Sequence, residues 1–577
     1  MNGYHNSTYA FTTILIVFLL GVSVGSLLYA RLSARITNLR SLGLLQLGIA
    51  GYVWVSFYLI GIMPGLLRRI TQVVGTGSWA SALTTIVVSS TIVVFVPTVF
   101  MGMTFPMGTA LSSTRGGVVG AVTGRAYAAL TLGNIVGSLV TGFVLIRFVG
   151  LRNAFAVAVA LNLIVGFALL SFRPGRPGSR ARIALGALAG GLASLLFLGT
   201  VKPDVFRSYY DKYVATLNGK IVFYREEVTD NVMVYETQRG QRWIFYSDGR
   251  GTAGTPSEPA NRRSGHIPMM LHADPRSVLC ICFGVGNTLS AIAQYQPDRL
   301  VCVELSPGAI ASASWFPTNR DVLSTPNLEV VVEDGRNYLL RTDEQFDVIA
   351  LEPPELHQAA VVNLYTREFY ELARAHLREG GILCQWWGTY APTYEQNMLM
   401  RAFVEVFPES SLWQSNYVSL LLVGFKEGAS IRPADFLARM ERPSVRQDLE
   451  GIGVTPTKLL AHHLIGPQSL SALVRDVPPV TDDRTYIDFS VPRSSEAGFG
   501  VFMYNTYQAF SMRDNVGMHA QFERMRDLEK GKESPEYLFE FSGSDVDVRF
   551  RQELAAAVED QRDWAVAFIE KMLRTEE

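Results

Sequence analysis

The chain has 577 residues, and 51 lysines and arginines nearly balance 52 aspartates and glutamates to give a formal net charge of −1. That balance offers no bulk attraction to nucleic acid, and the length leaves room for several domains. The average hides a division: residues 9–200 are nearly free of acids, whereas residues 201–577 hold nearly all the aspartate and glutamate.

The first third reads as membrane. A span needs roughly 20 apolar residues, and segments 9–30, 42–67, 80–105, 120–146, 151–172 and 183–200 qualify, the last being short, rich in Ala and Gly, and the weakest. The first span begins at once after Met1, with no cleavage pattern of a signal peptide. Gly21/Gly25 and Gly133/Gly137 are GxxxG pairs that would let helices approach closely. "PTVFMGMTFP", bracketed by Pro97 and Pro106, reads as a kinked helix end. Arg125, Tyr127, Asn134, Arg147 and Asn162 are polar handles for a lipid or apolar-substrate cavity. Arg31, Arg35 and Arg40 follow the first span, and Arg173, Arg176, Arg180 and Arg182 follow the fifth; positive charge favours the cytoplasmic side. With six crossings the C-terminal part would fall outside. The expectation is an inner (plasma) membrane protein, multi-pass, whose sixth segment does not cross and whose C-terminal domain is cytoplasmic.

From about residue 203, "GKIVFYREEV", "NVMVYETQ" and "RWIFYSDG" read as a small antiparallel β unit. Then "RSVLCICFGVGNTLSAIAQY" gives strand, glycine turn and helix start, and "RLVCVELSPGAIASASWF", "LEVVVEDGRNYLL" and "FDVIALEPP" repeat the alternation. "REFYELARAHLREGG", "ILCQWWGTY" and "SNYVSLLLVGF" supply a helix and two further strands. Alternation of this kind implies a mostly parallel sheet with helices on both faces. Cys280, Cys282, Cys302 and Cys384 lie in apolar runs without a CxxC pair and read as free thiols; the eight histidines show no metal spacing, adjacent His462 and His463 falling on different faces of a helix. No metal is expected.

In such a sheet ligands sit beyond the carboxyl ends of the strands. Those ends carry Gly284/Gly286, Glu304, Asp334 and Glu352. Glu304 falls 18 residues after Gly286, the spacing at which a strand-end acid binds ribose hydroxyls. Asp334 can accept a hydrogen bond from an adenine amino group. The set points to a nucleoside site of the S-adenosylmethionine class. The run "FDVIALEPPELHQAAVVNLYTREFY" ends its strand on Glu352, and two prolines and Glu355 follow. A carboxylate there can bind a protonated amine and accept its proton.

On "RSVLCICFGVGNT", "VCVELSP", "EDGRNYL", "EPPELHQAAVVNLYTREFYELARAHLREGGILCQWW" and "TDDRTYIDFSVPR", residues 203–495 resemble a spermidine/spermine synthase domain. With "YAFTTILIVFLLGVSVGSLLYARL" and "GRAYAALTLGNIVGSLVTGFVL", the whole resembles the bacterial membrane-fused spermidine synthase-like proteins. The resemblance implies an α-helical transmembrane domain fused to an α/β Rossmann-like domain of the class I methyltransferase type, behind a small antiparallel β unit. The expected boundaries are 1–202, 203–265, 266–495 and a helical tail 496–577. It implies S-adenosylmethionine or its decarboxylated form as co-substrate, with Gly284, Gly286, Glu304, Asp334 and Gly335 holding the nucleoside. Glu352 takes the place of the aspartate that deprotonates the attacking amine, and Glu355 that of the second acid of the loop. His357, Tyr365 and Gln385 border the acceptor.

Two departures stand out. Val285 replaces an aspartate that contacts the aminopropyl ammonium, and Ala260 and Asn261 replace a Tyr-Gln pair, with Arg262 and Arg263 following. Arginines there favour a carboxylate or phosphate, so the acceptor is an amine or another nucleophile, lipid-like or anionic, that the membrane domain delivers; an oligomer is compatible with this. Aminopropyl transfer with release of methylthioadenosine is the leading reading, beside methyl transfer or a lyase/cyclase reaction, and beside a non-catalytic transporter or nucleoside sensor. Asp482, Asp483 and Arg484 are expected to form a local ion network bracing the sheet. The amphipathic tail would cap the domain, pair with a partner or lie on the membrane.

Overall fold

The computed structural model describes residues 8–74, 79–113, 119–173, 178–200, 205–216, 218–227, 231–246, 251–354, 356, 358, 360–388, 391–416, 419–428, 431–484, 486–495 and 516–574. They form two compact units, one built mainly from residues 9–220 and the other mainly from residues 232–577.

The first unit is helical: α1 (Thr8–Ile36), α2 (Leu39–Val74), α3 (Trp79–Ser90), α4 (Val96–Ser113), α5 (Val119–Leu139), α6 (Ile146–Ser171), α7 (Ser179–Thr200) and α8 (Val205–Thr216). Five helical runs among the described residues are long and apolar enough to cross a membrane. One of them, Gly120–Ser171, counts 52 residues, which at about 1.5 Å per residue far exceeds a hydrocarbon core of about 30 Å. It is broken at Gly150, whose φ of 81° and ψ of 165° leave the helical region, so the run holds the two segments expected at 120–146 and 151–172.

α7 differs from expectation. It is one continuous helix of 22 residues, about 33 Å long by its rise and sufficient to cross. Its small residues are a packing device: a Cβ on Gly186 would lie 2.5 Å from the Phe167 carbonyl oxygen, and one on Gly190 would lie 2.6 Å from Ile164 Cα. The GxxxG pairs divide. Gly21 and Gly25 are pressed against Thr98 and Val99, whereas a Cβ on Gly133 or Gly137 would meet nothing within 4 Å. The Pro97–Pro106 segment is no helix end; α4 runs through Pro106, and a π turn at Thr91–Phe95 precedes it. Arg125, Tyr127, Asn134 and Arg147 point outward, and Asn162 donates to the Ala158 carbonyl of its own helix at 2.8 Å, so these handles do not converge on a cavity in this unit.

The small β element is shorter than the expected 203–265, because α8 takes the start of that range, packing on α2 through Phe206 and Phe57, 5.9 Å apart, and α9 (Glu258–Leu271) takes its end. The strands are β1 (Gly219–Glu226), β2 (Asn231–Thr237), β3 (Arg242–Phe245) and β4 (Gly251–Gly254). β2, β3 and β4 pair antiparallel in sequence order. Val232, Val234 and Ile244, spaced by the two-residue strand period, bury their side chains with Ala253, Val285, Ala309 and Phe316.

The large sheet holds β5 (Ser277–Ile281), β6 (Arg299–Glu304), β7 (Leu328–Val332), β8 (Phe346–Leu351), β9 (Leu377–Gly388), β10 (Ser410–Asn416), β11 (Ser419–Phe425) and β12 (His463–Ile465), in the order β12-β10-β11-β9-β8-β5-β6-β7. β5 to β9 are parallel and β11 runs antiparallel to β9. Its strands are apolar on both faces, as a doubly covered parallel sheet requires. Leu279, Ile281, Val301, Val303, Ile349 and Leu351 enter one layer, and Val278, Cys280, Leu300, Cys302, Val348 and Ala350 the other. The chain leaves β5 toward β6 and β7 on one side and later returns to β8 on the other, which makes the β5/β8 boundary the switch point where ligands bind.

The tail belongs to this unit. Phe522, Met525 and Ile569 join one apolar layer and Phe550, Leu554 and Val558 the other, so the helices Val516–Lys530 and Asp545–Arg574 cap the sheet. His462 and His463 do not share a helix: Pro456–Leu460 ends before them and His463 opens β12.

Candidate active site

β5 ends at Ile281, which pairs with Val303 on β6 and Leu351 on β8. The next residues, Cys282, Glu304 and Glu352, therefore stand in one row across the carboxyl edge, on strands about 4.8 Å apart. The Cys282 amide donates to the Val303 carbonyl at 2.9 Å, and the Glu352 amide to the Ile281 carbonyl at 3.3 Å. The chain then turns sharply. Gly284 and Gly286 take positive φ of 55° and 85°, a conformation that side chains resist, and the Gly286 amide closes the turn on the Phe283 carbonyl at 2.8 Å. α10 (Asn287–Ala293) starts there.

Glu304 is buried and wrapped in backbone. It accepts the Phe283 amide at 2.7 Å and the Ser306 amide at 2.8 Å. Burial pushes its carboxyl up, and the amides pull it back. Asp334 caps α12 (Gly335–Arg341) by accepting the Asn337 amide at 2.9 Å on one carboxylate oxygen. Gly335 is required by close approach, since a Cβ there would fall 2.3 Å from Ile281 Cγ2.

Glu352 is held by side chains instead. The Thr288 hydroxyl donates to it at 2.6 Å, and the Asn261 amide nitrogen spans both its oxygens at 3.2 and 3.3 Å. Burial raises its carboxyl above the usual range, against the pull of Thr288, Ser264 and Asn261. Thr288 and Asn261 were not singled out as site residues by sequence, although Thr288 follows the glycine turn and Asn261 was visible as a replacement. Cys282, between the two acids, has its thiol pushed well up by burial and by the neighbouring Glu304, Glu352 and Asp334.

The remaining expected residues fare differently. Glu355 and His357 lie outside the described residues. Tyr365 and Gln385 sink into the core at 1% and 0% exposure. Tyr365 donates to the Trp386 carbonyl at 3.4 Å, and the Gln385 amide to the Leu364 carbonyl at 3.2 Å. The amide oxygen of Gln385 has no hydrogen-bond partner among the described residues.

The arginines bond to protein groups and so lend no support to an anionic acceptor. Arg262 is fully buried and donates to both oxygens of Asp448 at 2.6 and 2.8 Å, to Glu258 at 2.9 Å and to the Thr318 carbonyl at 2.5 Å. Arg263 donates to the Ser415 carbonyl at 2.5 Å. Asp448 also contacts Arg320 and accepts from His266 at 2.8 Å. Burial pushes the Asp448 carboxyl up, but His266, Arg262 and Arg320 outweigh it and hold the carboxyl below its ordinary range. This network fixes α9, the helix that carries Asn261. Asp482 pairs with Arg336 of α12 at 2.9 and 2.5 Å and not with Arg484; it braces the helix whose cap is Asp334.

Residues 261–406 match the model of the spermine/spermidine synthase domain. That segment is similar to a spermidine synthase domain. The chain is 29% identical over 339 residues to a polyamine aminopropyltransferase of Corynebacterium efficiens, covering 56% of this chain and 62% of that one. It is 36% identical over 121 residues to a polyamine aminopropyltransferase of Nitrosomonas europaea, covering 20% and 37%. Polyamine aminopropyltransferase 2 of Pseudomonas aeruginosa is 28% identical over 178 residues, covering 30% and 51%. The chain thus spans between 37% and 62% of these relatives' lengths. The crystal structure of a spermidine synthase from Thermotoga maritima superposes with a TM-score of 0.35 at 18% identity, over 44% of this chain and 87% of that one. The matched segment contains the glycine turn, Glu304, Asp334 and Glu352, so the row of strand-end acids lies inside it.

Proposed function

We propose that the synthase domain is a transferase of the polyamine aminopropyltransferase type, moving the propyl chain of an adenosyl sulfonium onto an amine. The co-substrate is S-adenosylmethionine or its decarboxylated form. The amine lone pair forms a bond to the propyl carbon attached to sulfur, and the carbon–sulfur bond breaks. Sulfur keeps the electron pair and loses its positive charge, so methylthioadenosine leaves. The proton shed by the alkylated nitrogen passes to Glu352.

One observation carries this reading: Glu352 is raised by burial yet held in place by Thr288 and Asn261. A carboxyl tuned upward toward neutral pH is a better proton acceptor than an ordinary one, and its negative charge favours a cationic sulfonium and an ammonium nearby. Glu304 and Asp334, on the other side of the glycine turn, would take ribose and adenine. The five apolar helical runs make the chain membrane-bound in this reading. Because α7 is long enough to cross, the cytoplasmic placement expected from a non-crossing sixth segment is open to test, and a C-terminal reporter fusion decides the side.

The test is mass spectrometry of products after the purified full-length protein is incubated with each co-substrate form and a panel of amines. Methylthioadenosine together with an alkylated amine is the expected outcome. S-Adenosylhomocysteine would make the protein a methyltransferase, methylthioadenosine without an alkylated product a lyase or cyclase, and intact co-substrate a sensor.

A further inference from the structure

Asn287 opens α10, directly after the glycine turn. It is 1% exposed. Neither its amide nitrogen nor its amide oxygen has a hydrogen-bond partner among the described residues. Its chain neighbours fix where its backbone stands. Phe283, at the start of the turn, donates its amide to Glu304 at 2.7 Å, and Thr288, the next residue, donates its hydroxyl to Glu352 at 2.6 Å. Asn287 therefore lies on the segment that joins the two acids of the site. The side chain between the two glycines of the turn is apolar: Val285 is 2% exposed and buried among Val232, Val234, Ile244 and Phe316.

A buried polar group without a partner is costly, and native proteins rarely keep one without a reason. Here two such atoms belong to one carboxamide, which offers two donors and an acceptor. A ligand that satisfies both must bring an acceptor and a donor together. An ammonium alone brings donors only. The amino-acid end of intact S-adenosylmethionine brings a carboxylate for the amide nitrogen and an ammonium for the amide oxygen.

We infer that Asn287 is a specificity residue that binds the amino-acid end of the co-substrate, and that the synthase domain takes S-adenosylmethionine with its carboxylate in preference to the decarboxylated form. This rests on the transferase reading above and narrows it: the chain donated to the acceptor would retain its carboxylate.

The experiment is calorimetric titration of the full-length protein in detergent with methylthioadenosine, decarboxylated S-adenosylmethionine and S-adenosylmethionine. The wild type should bind S-adenosylmethionine about tenfold or more tightly than the decarboxylated form, the size expected when one charged partner is left unmatched. Asn287→Ala should erase that preference while binding methylthioadenosine within about twofold of wild type, and Asn287→Asp should reverse it. Equal or tighter binding of the decarboxylated form by the wild type overturns the inference, as does a preference that survives Asn287→Ala. The wild-type comparison stands even where a variant misfolds. If methylthioadenosine itself fails to bind, the transferase reading falls and this inference with it; if methylthioadenosine binds and the preference is missing, only this inference falls.

Discussion

The two flanks of β5 end in the same residue type and treat it in opposite ways. Glu304, on the β6 side, is tied by backbone amides of the turn and of the following loop. Glu352, on the β8 side, is tied by the side chains of Thr288 and Asn261. Backbone donors are set by the path of the chain and survive most substitutions. Side-chain donors can be retuned one residue at a time. In the proposed reaction the β6 flank suits an invariant group, the ribose, whereas the β8 flank suits a chemistry that can be adjusted.

The strongest way to break that contrast is Glu352→Gln. It keeps the shape and hydrogen-bonding capacity but removes the base, and product formation should fall roughly 10²- to 10⁴-fold, measured by methylthioadenosine release. Affinity for methylthioadenosine should stay within about threefold, because the nucleoside half is carried by the other flank. Equal losses of binding and turnover would show that the two flanks do not divide the work.

The support behind the β8 flank gives the next largest effect. Asp448→Asn leaves Arg262 buried without its counter-charge, which typically costs about 3–5 kcal/mol. Urea unfolding should register that loss. The pH sign is fixed by the depressed carboxyl of Asp448. A depressed group contributes stability above its unfolded pKa that disappears as pH falls through its folded pKa. The wild type should therefore lose this contribution on acidification below the ordinary carboxylate range, and Asp448→Asn should lose nothing further there.

Glu304→Gln sharpens the other side. Replacing a charged acceptor of ribose hydroxyls should weaken methylthioadenosine binding by about 10- to 100-fold, read by calorimetry. The smallest expected effect is a shift of the pH profile. Glu352 is raised by burial and pulled back by Asn261, so Asn261→Leu should move the acid limb of kcat/KM to higher pH. The stability sign is opposite to that of Asp448. A raised carboxyl stabilises the fold most fully below its unfolded pKa, and that contribution is lost as pH rises through its folded value.

Much of this arrangement is legible from sequence because strand ends in a parallel sheet follow from local patterns. Apolar runs ending in Glu304 and Glu352, and a glycine pair after β5, determine where the acids must converge. Asp334 is legible for the same reason, although its second role as a helix cap is not. What escaped was the partner of each polar group. Arg262 and Arg263 read as ligand-facing because they follow the replaced Tyr-Gln pair, yet Arg262 turns inward to Asp448, 186 residues later. Asp482 reads as the partner of nearby Arg484, yet it reaches Arg336. Such pairs are set by tertiary packing, which carries no local period. Likewise α7 read as too short because Ala and Gly lower its hydropathy, while those small residues let α6 approach. The tail read only as amphipathic, and its apolar stripe found the sheet unit.

The most direct measurement is an experimental structure of the protein with methylthioadenosine bound. The nucleoside should lie across the carboxyl edge of β5, its ribose at Glu304, its adenine beside Asp334 and its sulfur turned toward Glu352. A ligand found elsewhere, or one lying on this edge with its ribose away from Glu304, would contradict the convergence of these strand ends on one adenosyl sulfonium.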